Sequence, residues 1–392
     1  MTTLLRNARL VLADRVTKSA NLLIEDGRIA GVGGNQSTDS VKADSVIDLG
    51  GFTLFPGFID IHIHGAVGVD TMAADANDLC RAGEFLVSRG VTAWLPTLVP
   101  GPTEQYERAI GAIEQAALLN TTQLDRQPAQ ILGVHYEGPF VNSQQCGALH
   151  SEYFRTYKSK ADLDSLPILT NINAVHLITV APEIEGGIRL VQELKQRNWI
   201  TSIGHTRATA DLLDQALAAG ARHMTHFMNA MTPLHHRAPG PVGWGLWHDE
   251  VSCDLIADGI HLDPAILKLI VRNKTADRVS LISDAIAATG LGDGHYEIWG
   301  EQIAVKNGRT ENNRGSIAGS VITMLDAVRL MLSLGITEAE VARMAALNPA
   351  RLLGIDRDYG SLEEGKRADL VALDDEGRVR LTLVGGQAAF QS

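Results

Sequence analysis

Between Pro56 and about Gly354 the chain alternates short apolar runs with longer amphipathic ones, and this alternation constrains the fold most. FIDIHIH, VTAWLPTL, ILGVHYEG, AVHLITVAPE, WITSIGH, ARHMTHF, VSCDLIAD and RVSLISDA read as eight buried strands. Helices are predicted over 76–88 and 103–118. LLDQALAAG, PAILKLIVRN and TMLDAVRLMLSLG place apolar residues at i, i+3 and i+4, the spacing of one helix face. Eight β/α units over roughly 300 residues fit a (β/α)8 TIM barrel. A doubly wound sheet is the alternative that the same alternation allows.

The two ends of the chain read as β structure. Residues 4–12 are strand-like, and LLIEDGRIAGVGG sets Asp26-Gly27 between two apolar runs. Asp-Gly favours a type I′ hairpin turn, which needs positive φ at both central residues. DSVIDLGGFTLF continues in this style, and ADLVALDDEGRVRLTLVGGQAAF repeats it around a turn at Glu376-Gly377. Neither end has enough strands for a stable sheet alone. Both are therefore expected to meet in one small β-sandwich domain. The predicted division is 1–55 and 355–392 for that domain and 56–354 for the barrel.

Polar residues recur at the predicted strand ends. Strand 1 ends in His62-Ile63-His64, strand 3 in Glu137, strand 5 in His205, strand 6 in His226, strand 7 in His261 and strand 8 in Asp284. In a parallel barrel these ends share one mouth, where barrel active sites are built. His62 and His64, two apart on a strand, face the same side. Imidazole and carboxylate donors suit zinc, iron, manganese or cobalt better than calcium or magnesium. A metal with an open position lowers the pKa of its water to about 7. Asp284 is then the expected general base and acid.

Composition narrows the partners. The 34 Lys and Arg against 46 Asp and Glu give a net charge of −12, with no basic stripe, which argues against nucleic acid or an anionic membrane. Cys80, Cys146 and Cys253 are scattered with no CxxC, so neither a disulfide framework nor a cysteine zinc site is expected. The start lacks the continuous apolar core of a signal peptide, and no run approaches the ~18 apolar residues of a membrane span. A cytoplasmic protein is expected.

The motifs PGFIDIHIHG, HYEGPF, IGHT, THFMNAM, IADGIHLDP and ISDA, in this order, resemble the N-acetylglucosamine-6-phosphate deacetylase family of the amidohydrolase superfamily. IAGSVITM, ALNPARLLG and GSLEEGKRADLV follow the same pattern, so the resemblance spans the chain. It implies a metal-dependent enzyme releasing acetate from an amino-sugar phosphate, with one or two divalent ions per subunit and zinc foremost. Glu137, His205 and His226 match the shared metal ligands, and His62 and His64 match a second metal position. Asp284 matches the catalytic aspartate, and His261 a residue that polarises the acetyl carbonyl. Asn229, Ala230 and the Ile317-Ala318-Gly319 turn match substrate contacts, and Arg237 matches the phosphate-binding arginine. The stretch CGALHSEY departs from the family pattern by inserting Leu149 between Ala148 and His150, both carried over as sugar contacts. That departure leaves the galactosamine epimer as an alternative substrate, with a cyclic amide or dipeptide as a more distant one. The family also implies a homo-oligomer, dimer or tetramer.

Overall fold

The structure is a computed structural model that describes residues 1–33, 43–119, 127–170 and 174–392. The eight strands expected from sequence are present: β1 (Phe58–Ile63), β2 (Val91–Leu98), β3 (Gly133–Glu137), β4 (Val175–Val180), β5 (Ile200–Ile203), β6 (His223–Met224), β7 (Ser252–Ile256) and β8 (Val279–Ile282). Each pairs in parallel with the next in chain order. Between β8 and β1 the ring is closed by backbone bonds that include Asp284 N–H to His62 C=O at 2.9 Å and His64 N–H to Ala285 C=O at 2.8 Å. The barrel thus closes at three residues of the predicted site, His62, His64 and Asp284.

The helices lie where periodicity put them, including Ala76–Val87, Thr103–Leu119, Ala210–Ala219, Pro264–Lys274 and Met324–Ser333. The first starts at a capping box in which Asp75 and Asp78 exchange side-chain-to-backbone bonds, which satisfies otherwise orphaned N–H groups. Large side chains such as Trp94, Tyr106, Tyr136 and Phe227 are fully buried in one continuous cluster. Deeper in the barrel the interior is polar but paired: His135 Nε2 meets Thr179 Oγ1 at 2.8 Å, and Thr179 Oγ1 meets Thr225 Oγ1 at 2.7 Å.

Both ends join one mixed sheet. The strand Thr2–Leu10 pairs antiparallel with Ala20–Glu25 and parallel with Ser45–Asp48 and Thr53–Pro56. Leu370–Leu373 then pairs antiparallel with Thr53–Pro56, which stitches the C-terminal strands to the N-terminal ones. Leu5, Leu22, Leu54, Leu370 and Leu381 share a buried cluster, so the two ends form one core. Asp26 and Gly27 take φ of +47° and +78°, as the expected turn demands.

Three elements differ from the sequence reading. The Gly- and Pro-rich stretch carrying Trp244 and Trp247, for which no helix was predicted, contains the helix Gly240–Trp247; proline is tolerated in its first turn. Trp244 is buried there and donates to Asp214 Oδ1 at 2.8 Å, whereas Trp247 is exposed. β6 is only two residues long, because the chain turns into the left-handed region at His226. A three-stranded antiparallel sheet, Gly294–Ile298, Glu301–Lys306 and Arg309–Asn312, follows β8. Its exposed, alternating strands carry little apolar signal.

Candidate active site

His62, His64, Glu137, His205, His226, His261 and Asp284 all stand at the C-terminal mouth. The β1 alternation brings His62 Nε2 and His64 Nε2 to 3.2 Å. Glu137 is the last residue of β3. His205, His226 and Asp284 lie two residues beyond β5, β6 and β8, with φ of +47°, +29° and +49°. Such backbone costs on the order of 1–3 kcal/mol per residue and persists where the surroundings over-determine it.

Glu137 is the hub. Its Oε1 lies 2.9 Å from His205 Nε2, 3.0 Å from His226 Nε2 and 3.6 Å from His62 Nε2, and its Oε2 lies 3.3 Å from His64 Nε2. Asp284 Oδ1 is 3.1 Å from His64 Nε2 and 3.4 Å from His62 Nε2. Two buried donor sets result, His62–His64–Glu137 and Glu137–His205–His226, joined at the glutamate.

This donor set fits a divalent cation. His205 Nε2 and His226 Nε2 are 3.1 Å apart and face the same carboxylate oxygen, an arrangement that a shared cation satisfies better than one proton. Gln145 C=O lies 2.7 Å from His205 Nδ1, which places the proton there and leaves the Nε2 lone pair free. Asp284 Oδ1 is buried without a partner in hydrogen-bond geometry.

Charge makes the same point. Burial pushes Glu137 towards neutrality, but His62, His205 and His226 outweigh it and hold the carboxyl well below its usual range. Burial opposes the Asp284 charge too, and His62 and His64 overcome it. Burial likewise disfavours protonated His64 and His226. The Asp284 and Glu137 carboxylates nevertheless raise His64 to about 10, and Glu137 foremost raises His226 to about 9. Two ionised carboxylates thus draw positive charge into their midst, as protons or as a metal.

Three buried carboxylates that the sequence reading did not single out brace the site. Asp254 accepts the His226 backbone N–H through Oδ1 and contacts His223 Nε2 through Oδ2 at 3.1 Å. Asp258 Oδ2 holds His261 Nδ1 at 2.6 Å. Asp60 accepts from Ser283 Oγ, and burial raises its pKa to about 6 despite that bond. Glu183, assigned no role from sequence, ties the loops after β3 and β5 by accepting from Asn142 Nδ2 at 2.8 Å and Thr206 Oγ1 at 2.6 Å. The only sequence signal for any of these was the Asp258-to-His261 spacing within IADGIH.

The mouth encloses a cavity of about 290 Å³. Ala148, Leu149, Asn229, Ala230, Ile317 and Gly319 line it with His64, Glu137, His205, His226, His261 and Asp284, and so do Ile256 and Trp299, which sequence reasoning had not placed there. Ala318 is fully buried behind the wall, His150 faces a neighbouring cavity beside Glu152, and Arg237 sits on an exposed loop against His236. A larger cavity, about 780 Å³, opens at the opposite end of the barrel around Ile200, Ser252 and Ser280. None of the converging ligands reaches it, so volume alone does not mark the chemistry.

A (β/α)8 barrel carrying two histidine sets joined by one glutamate defines a metal-site hydrolase architecture. The amidohydrolase family profile matches residues 53–389. The chain is 37% identical to the N-acetylgalactosamine-6-phosphate deacetylase of Escherichia coli O157:H7, over 99% of this chain and 100% of that one. It is 35% identical to the N-acetylglucosamine-6-phosphate deacetylase of Bacillus subtilis, over 99% and 97%. The crystal structure of the Thermotoga maritima N-acetylglucosamine-6-phosphate deacetylase superposes with a TM-score of 0.87 at 32% identity, over 99% and 100%. The chain belongs to the amidohydrolase family and, within it, to the N-acetylglucosamine-6-phosphate deacetylase family.

Proposed function

We propose that this enzyme hydrolyses the acetamide of N-acetylglucosamine 6-phosphate to glucosamine 6-phosphate and acetate. The observation that carries the reading is the gathering of Asp284 and His261 around the Glu137–histidine cluster on one cavity wall. At about 290 Å³ that cavity is at the small end for ligands and suits a monosaccharide.

Glu137, His205 and His226 hold one divalent cation in this reading, and His62 and His64 complete a second position with Glu137. Such an ion supplies Lewis acidity and an acidified water at neutral pH. Zinc is the first choice for these donors, with iron, manganese or cobalt next. Asp284 takes the proton that the attacking water loses and delivers it to the amide nitrogen, since an amine leaves poorly as an anion. His261, held at Nδ1 by Asp258, directs Nε2 at the carbonyl oxygen; a donor so aimed is worth about 3–4 kcal/mol. Asn229, Ala230, Ala148, His150 and the Ile317–Gly319 turn are assigned to the sugar and Arg237 to the phosphate. Since Arg237 stands outside its own cavity wall, that role requires its loop to fold inward or a second copy to present it.

The galactosamine epimer is the second reading, favoured by the 37% identity to the Escherichia coli enzyme. We assign the catalytic unit to 56–354 and the flanking domain to 1–55 and 355–392. We further propose a cytoplasmic homo-oligomer with no nucleic-acid or membrane partner; among the described residues no helix is long and apolar enough to cross a membrane. The test is Asp284→Asn. Acetate release should fall by about 10²-fold or more while the substrate still binds; unchanged turnover would sink the assignment.

A further inference from the structure

Trp299 occupies the tip of the hairpin between Gly294–Ile298 and Glu301–Lys306. Trp299 and Gly300 take φ of +54° and +74°. A bulky residue is uncommon in that region, so the tip presents an indole where a smaller residue would serve the turn better. The ring reaches back to the metal ligands: its centroid lies 5.1 Å from that of His64, edge to face at 83°. Among the described residues it is the only Trp, Tyr or Phe in the wall of the active-site cavity. Beyond it lies a second cavity of about 400 Å³, lined by Asp70, Gln105, His150 and Tyr153, and Trp299 lines that one too. Among the described residues, Trp299 is the one that the walls of both cavities share.

We propose that Trp299 sets the length of the acyl group that the enzyme accepts, an inference that rests on the deacetylase reading. The carbon under attack must lie beside the Glu137–histidine cluster. Its substituent is then within reach of the ring packed on His64. The face of an indole is apolar and rigid, with two χ angles, and offers a methyl group a flat wall. Removing it would join the cavities of about 290 and 400 Å³ and give a longer chain somewhere to go.

The experiment compares N-acetyl-, N-propionyl- and N-butyryl-glucosamine 6-phosphate on metal-loaded parent, Trp299→Ala and Trp299→Phe enzymes, with metal content and circular dichroism confirming the fold. One methylene in an apolar pocket discriminates by about 10–200-fold. The parent should therefore prefer acetyl over butyryl by about tenfold or more in kcat/KM. Trp299→Ala should raise the butyryl-to-acetyl ratio by a similar factor, and Trp299→Phe should stay near the parent. Losses of equal factor on all three substrates would overturn the proposal and leave Trp299 a packing residue. If the parent releases none of the three acids, the deacetylase reading fails separately. The ratio of butyrate to acetate affinity, measured by calorimetry on the metal-loaded proteins, then decides the Trp299 claim: it must rise about tenfold in Trp299→Ala, and an unchanged ratio contradicts it.

Discussion

His261 Nδ1 lies 2.6 Å from Asp258 Oδ2, and Asp258 Oδ1 accepts the backbone N–H groups of Ile260 and His261 at 2.8 Å. One buried carboxylate thus fixes both the ring and the loop of the residue assigned to the carbonyl. Burial opposes the Asp258 charge, but His261 and the two N–H groups outweigh it and lower its pKa. The stabilisation is therefore complete above the unfolded value, about 3.9, and is lost as pH falls through the folded one. Asp258→Asn should cost on the order of 1–3 kcal/mol at neutral pH, with a lower kcat. Its deficit in urea unfolding should shrink as pH drops from about 5 towards 3. A pH-independent deficit contradicts the assignment.

Glu137 belongs to both donor sets, whereas each histidine pair belongs to one. Elemental analysis should find that His62→Ala with His64→Ala spares the ion held by His205 and His226. Glu137→Ala should reduce the metal content of both positions. Equal loss in the two variants would contradict a glutamate hub.

Removing the metal leaves two ionised carboxylates buried among imidazoles. Chelation should lower the Tm, and restoring a divalent ion should recover it. At a free ion concentration of 100 Kd the linkage is worth about 2.7 kcal/mol. A Tm indifferent to chelator would place the bound ion elsewhere.

Gly319 has φ of +54°, and a Cβ there would stand 2.6 Å from Ile286 Cγ2 and 2.8 Å from the Asp284 carbonyl oxygen. Gly319→Ala should therefore displace the Asp284 backbone. We expect a stability loss of about 1–3 kcal/mol and a fall in kcat larger than any rise in KM. Parent-like kinetics would show that this turn does not support Asp284.

The eight strands and the inward pair His62–His64 were legible because period-two alternation and buried apolar runs are local signals. The joining of the chain ends was legible because neither end could form a stable sheet alone. The helix Gly240–Trp247 was obscured by its glycines and proline, which read as a loop until tertiary packing buries Trp244. Asp254, Asp258 and Glu183 were missed for a different reason. Their work is to hold other residues, and a carboxylate near a strand end looks the same in sequence whether it binds solvent or a backbone N–H. Trp299 was missed because its partner, His64, lies 235 positions earlier in the chain, and only the fold brings them together.

The central claim is tested most directly by acetate release from N-acetylglucosamine 6-phosphate and its galactosamine epimer, side by side, with metal-loaded and metal-stripped protein. We predict release by the loaded protein, a clear preference for one epimer (glucosamine on our first reading), and loss of activity on stripping that added metal restores. Release from neither sugar, or equal release without metal, would contradict it.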